Sequence, residues 1–184
     1  MRSSRSALIV VLALFSGITT AQSDLSNDTL HWDSAYVLSP SDFKGEPQDY
    51  TGLGGENFCM ILVDYSRPNA FAKTTYNAVA LFDRDKSWLS KTRPNANGLS
   101  YFQTTFDLYE LHARKFKKWF ADEPVGGDPK AAFQERYNAT MSALADEFNT
   151  FRQETRMGQD AAQLTSWSAR VRKGIAELSA YGSK

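Results

Sequence analysis

Tyr101-Phe102-Gln103-Thr104-Thr105-Phe106-Asp107-Leu108-Tyr109-Glu110-Leu111-His112-Ala113-Arg114 is the stretch on which the fold turns. Around it, Leu99, Phe102, Phe106, Tyr109, Ala113, Phe116 and Phe120 recur at intervals of three and four residues. That spacing draws one continuous apolar face on a helix of about 3.6 residues per turn. It predicts a helix over Gly98 to Asp122. Gln103, Asp107, Glu110, Arg114 and Lys117 fall on another side, expected to be a solvated back. Glu110 and Arg114 stand four apart in the favourable order, a pair worth about 0.2–0.5 kcal/mol if exposed.

Towards the C-terminus the pattern continues as helix. Asp128 is a cap with Pro129 at the first helical position. Phe133, Tyr137, Met141, Leu144, Phe148 and Phe151 form the stripe of a second helix of about 30 residues that reaches Arg156, long enough for a small domain to allow one kink or break. Gly158 is the expected residue after its C-cap, with Met157 filling a gap in the core. Asp160 caps a third helix carrying Leu164, Trp167, Val171, Ile175 and Leu178.

Towards the N-terminus, Phe58–Tyr65 and Tyr76–Asp83 read as two strands of alternating character. Asp83 to Leu89 reads as a turn with Trp88 packing on the helix that follows, and Gly52-Leu53-Gly54-Gly55 as a loop. Trp32 to Pro47 is turn-rich, with Phe43 as a core anchor and Gly45 free to take a positive φ. Residues 22–31 are polar and read as a flexible arm. Residues 1–21 carry Arg2 and Arg5, a short apolar run from Ala7 to Phe15 and a small-residue end at Ala21. These are the parts of a cleavable signal peptide, whose apolar core is too short to span a bilayer. The fold class is therefore α+β: a small N-terminal antiparallel sheet packed on about three C-terminal helices. One domain is expected over residues 32–184, sheet-rich over 32–91 and helical over 98–181.

Composition narrows the partners. The 184 residues hold 21 basic and 21 acidic side chains, and the leader removes two arginines and no acid. No basic run interleaved with aromatics is present, so nucleic acid is an unfavourable partner, and stable membrane insertion is not expected once the leader is cut. The single cysteine, Cys59, can form no internal disulfide. In Phe58-Cys59-Met60-Ile61-Leu62-Val63 it reads as a small buried hydrophobe, since a catalytic thiol needs a base beside it.

The first helix also resembles the central motif of the bacterial family of predicted secreted zinc-dependent proteases, a domain otherwise of unknown function, whose pattern runs H-E-Q-x-H-F-D-I-x-E-L-x-A-R. Gln103, Phe106, Asp107, Leu108, Glu110, Leu111, Ala113 and Arg114 match or nearly match it. Leu38-Ser39-Pro40-Ser41-Asp42-Phe43-Lys44-Gly45-Glu46-Pro47 resembles the family's opening signature. Phe151 to Gly158 resembles its Y-D-x-x-T-x-H-G, and Gln163 and Trp167 fit its closing pattern. The resemblance covers roughly residues 36–180 and implies a metallopeptidase-like fold.

It also implies what has been replaced. The two zinc histidines would fall on Tyr101 and Thr105, the general-base glutamate on Phe102 and the third histidine on Met157. Two histidines at i and i+4 present imidazoles to one metal, and the adjacent Glu deprotonates its water. A phenol with a pKa near 10 is a poor zinc ligand at neutral pH, a hydroxyl is poorer, a phenyl ring cannot take a proton, and a thioether does not suit catalytic zinc. No catalytic residue, no metal ligand and no cofactor is therefore expected. His31 and His112 are the only histidines, too few for a three-histidine site.

Tyr101, Thr105, Leu108 and His112 share one stripe of the helix. With Met157 they are the candidate lining of the old cleft. His112, with Glu110, Asp107 or a carboxylate from the second helix, could found a different metal or acid–base site. The plainer reading is a half-exposed polar residue on a helix flank. No Gly-x-Ser-x-Gly elbow points to a serine hydrolase. The function expected is an exported, periplasmic or extracellular, non-catalytic module that binds a peptide or another envelope protein. The alternatives are a hydrolase of the same family with an unorthodox site, or a partner or inhibitor of an active relative.

Overall fold

The computed structural model describes residues 28–48, 54–67, 72–91, 97–123, 125 and 128–182. Residues 1–21, read as a leader from the sequence, residues 22–27 of the arm and Gly52-Leu53 of the glycine loop lie outside the described residues. The chain has an α+β fold in which a three-stranded antiparallel sheet packs against three helices. The strands are β1 (Thr29–His31), β2 (Gly55–Ser66) and β3 (Thr75–Leu89), in the order β1-β3-β2. The helices are α1 (Gly98–Asp122), α2 (Pro129–Glu154) and α3 (Ala161–Glu177). No helix among the described residues is long and apolar enough to cross a membrane.

α1 is the centre of the molecule, touching the sheet, α2 and α3. Its sheet-facing partners include Ala78 and Ala80, both fully buried, beside Phe82 and Ile61. Small side chains on the central strand leave room for the aromatic face of α1. Phe82 meets Phe106 at 5.7 Å, and Phe43 meets Phe82 at 5.3 Å and Phe102 at 5.2 Å. Phe43 is thus the anchor its segment was expected to supply. On the other side, Phe151 of α2 stacks on Tyr101 at 4.8 Å and meets Trp167 of α3 edge-on at 5.4 Å, so one ring joins all three helices.

The structure refines several expectations. The arm is not loose throughout: Thr29–His31 pair with Leu81–Asp83 as β1, and Asp28 holds Lys44 and Arg84 through its carboxylate. Residues 83–89 are not a turn but the end of β3, interrupted by a bulge between Glu56 and Phe58. Ser87 makes this possible, its Oγ accepting from Phe58 N at 2.9 Å and donating to Asp83 O at 2.6 Å. Gly45 does not take a positive φ; it is glycine because an added Cβ would lie 2.8 Å from Asp85 O and 3.0 Å from Ser87 O. α2 runs unbroken for 26 residues, capped by Asp128 onto Lys130 N at 2.9 Å. Finally, the polar side of α1 is not solvated: Gln103, Asp107, Glu110 and Arg114 are all buried. The segment from Trp32 to Leu38 and helix α3 cover that side and supply hydrogen-bond partners to Gln103, Asp107 and Arg114, while Glu110 is met through Oε1 by Arg114 of its own helix and its Oε2 is buried with no hydrogen-bond partner among the described residues.

Candidate functional site

The side chains at the four positions implied by the zinc-protease motif are spent on structure or lie at the surface. Tyr101 is buried and stacked on Phe151 at 13° between ring planes. Burial pushes its phenol up to about 12, with Arg152 beside it acting in the opposite direction. Phe102 packs on Phe43 and edge-on to Tyr101. Thr105 is buried and donates its hydroxyl to its own helix at Tyr101 O, 3.0 Å away. Met157 is not the core filler expected of it: it is 45 % exposed. The reason is the turn after α2, where Arg156, Met157 and Gly158 take φ of 49°, 54° and 84° in succession. Met157 N donates to Arg152 O at 2.9 Å to close that turn, and its side chain is left at the surface. A high-pKa phenol, a phenyl ring, a committed hydroxyl and a surface thioether do not make a zinc donor set. Among the described residues no three of His, Cys, Asp or Glu gather elsewhere as one.

Leu108 and His112 continue the Tyr101–Thr105 stripe, and both are buried. The half-exposed His112 expected from the sequence is enclosed because α2 meets it with a carboxylate. His112 Nε2 lies 2.8 Å from Glu147 Oε2, with Lys115 Nζ at 3.1 Å from the same oxygen. The His112 hydrogen bond, working against burial and helped by Lys115, lowers the Glu147 carboxyl to about 2. The structure thus brings Tyr101, Thr105, Leu108 and His112 together in packed interior, and leaves Met157 on a surface turn. Cys59 is likewise held inert, its thiol raised by burial in β2.

An opening lies on the other flank of α1. A groove of about 550 Å³ runs between the Trp32–Val37 segment, the polar side of α1 and the C-terminal part of α3. Its floor is a connected set of buried polar groups. Asp107 Oδ1 accepts from Trp32 Nε1 and from Gln103 Nε2, each at 2.9 Å. Gln103 Oε1 accepts from Leu38 N at 2.8 Å. Arg114 donates from Nε to Glu110 Oε1 at 2.8 Å and from Nη1 to Ile175 O at 2.9 Å, and lies over the Trp32 ring at 5.1 Å. Farther along, Lys117 is held below its ordinary value by burial, with Glu110 pulling the other way.

Asp107 is committed to holding this floor and is not placed as a base. What the groove presents outward is different: Arg172, whose Nε is 3.5 Å from Asp107 Oδ2, and the exposed side chains of Tyr36 and Val37. These are the groups that a molecule entering the groove would meet. Sequence reading did not single out Tyr36, Val37 or Arg172, and placed Trp32 only at the start of a turn-rich stretch. Trp32 and Asp107 stand 75 residues apart, and no periodicity links them. The nearest signal was the unusual density of polar residues on one side of an otherwise aromatic helix. Comparison of the chain with protein-family models, with curated proteins and with solved structures finds no match.

Proposed function

We propose that this chain is an exported, non-catalytic, metallopeptidase-like binding module of the cell envelope, which takes a peptide or a segment of another protein into the groove beside Asp107. The observation that carries the reading is the division of labour on α1. The side chains at the motif's ligand and base positions on α1 are absorbed by packing, while the opposite flank holds a rigid hydrogen-bonded floor beneath an open groove. A rigid polar floor with an apolar lip suits binding, because little side-chain freedom is lost when a ligand arrives. The resemblance of Gln103, Phe106, Asp107, Glu110 and Arg114 to the protease motif supports the fold assignment, and the leader over residues 1–21 supports export.

The test is metal content by mass spectrometry on untagged residues 22–184 expressed with zinc supplied. Substoichiometric zinc, with no change in melting temperature on adding chelator, is the expected result. One tightly held zinc per chain would sink the proposal and direct attention to His112 and Glu147 as ligands. In parallel, envelope proteins retained by the wild type should be lost on Tyr36→Ala.

A further inference from the structure

We infer that the groove selects a segment in which one acidic side chain stands close to an apolar one, the carboxylate seated on Arg172 and the apolar side chain on Tyr36 and Val37; this rests on the binding reading above. Two guanidiniums line the groove, and they differ in availability. The Arg114 side chain is 8 % exposed and is tied to Glu110 and Ile175. The Arg172 side chain is 62 % exposed. Its Nε points at Asp107 Oδ2, and among the described residues its two Nη groups have no hydrogen-bond partner. The Nη edge that this contact leaves outward is a fork suited to a carboxylate.

Asp107 meets only the Nε edge of this cation. Its contact with Arg172 is long, and its other oxygen already serves Trp32 and Gln103. In the lining of the same groove, Tyr36 is held by a bond from its hydroxyl to Asp42 Oδ1 at 2.7 Å, which leaves the ring as an exposed apolar lip together with Val37. Asp33 also lines the groove, its carboxylate turned to Ala35 N at 2.8 Å. A second acid at that end would be repelled, so the fitting ligand carries one carboxylate directed at Arg172.

The experiment uses an array of acetylated, amidated hexapeptides with a central Leu or Phe flanked on one side by Glu, Gln or Lys, titrated against wild type, Arg172→Gln, Arg172→Glu and Tyr36→Ala. The wild type should prefer the Glu peptides over their Gln analogues by about two- to fivefold, as one charge-assisted contact to a largely exposed guanidinium provides. Arg172→Gln should erase that preference, Arg172→Glu should turn it towards Lys, and Tyr36→Ala should weaken all members alike. Arg172 is exposed, and equal melting temperatures would show that these variants fold. Peptides bound without regard to charge but lost on Tyr36→Ala would overturn the carboxylate assignment and leave the binding module standing. Failure of the wild type to bind any member would overturn both.

Discussion

Replacing Asp107 separates a hydrogen-bonding role from an ionic one. Asp107→Ala leaves Trp32 Nε1 and Gln103 Nε2 without the oxygen that accepts from both at 2.9 Å. Each orphaned donor costs about 1–3 kcal/mol when water cannot reach it. Trp32 is partly exposed, which lowers its share, so the alanine variant should lose about 3 kcal/mol. That is a large fraction of the roughly 5–15 kcal/mol that holds a domain folded. Asp107→Asn keeps an oxygen facing both donors. Its amide nitrogen, a donor, then faces Arg172 Nε in place of the carboxylate oxygen, giving up a contact of 3.5 Å to a largely exposed side chain, worth about 1 kcal/mol at most. Urea denaturation of the three proteins reads the difference as a shift in midpoint at constant slope. Equal losses in the two variants would refute the reasoning, since the stabilisation would then reside in the charge and not in the floor's hydrogen bonds.

Three further outcomes follow from the geometry. The Glu147 carboxyl is lowered from 4.5 to about 2 in the folded chain, so its contribution is fully present above pH 4.5 and is lost as the pH falls towards 2. Glu147→Gln should cost about 1–2 kcal/mol at neutral pH and flatten the acid limb, so that denaturation midpoints of variant and wild type converge by pH 2. Met157→Gly should raise the melting temperature slightly, by about 0.5 kcal/mol of stability, because φ of 54° strains a residue with a Cβ; a loss of 2 kcal/mol or more would mean the side chain is a core element after all. Gly45→Ala should lower stability by about 1–3 kcal/mol by forcing a Cβ against Asp85 O and Ser87 O, and hydrogen exchange should show the bulged end of β3 opening first.

The helices were legible because their information is local. The three-and-four spacing of Leu99 to Phe120 fixed α1 over its whole length, and Asp128-Pro129 and Asp160 marked the starts of α2 and α3. The end of β3 was not legible. Asp83-Arg84-Asp85-Lys86-Ser87 has the composition of a turn, and only pairing with β2 across the bulge keeps it extended. Met157 was misread for a related reason. A methionine beside a glycine looks like a core filler, but the backbone had already entered the left-handed region at Arg156 and turned the next side chain outward. β1 is three residues long and carries no alternation that a sequence could display.

The candidate site shows the same division more sharply. By itself the sequence determined that α1 carries an aromatic face and a polar face, and that Tyr101, Phe102, Thr105 and Met157 cannot supply zinc chemistry, because ligand chemistry belongs to the side chain. Tertiary structure alone decided which face opens. Covering the polar side of α1 brought Trp32 onto Asp107, and helix α3 brought Arg172 to the same carboxylate from 65 residues away. It also enclosed His112 against Glu147 of α2, turning an apparent surface histidine into part of a helix–helix contact. Burial depends on what packs against a face, and the residues that pack there are set by the path of the whole chain.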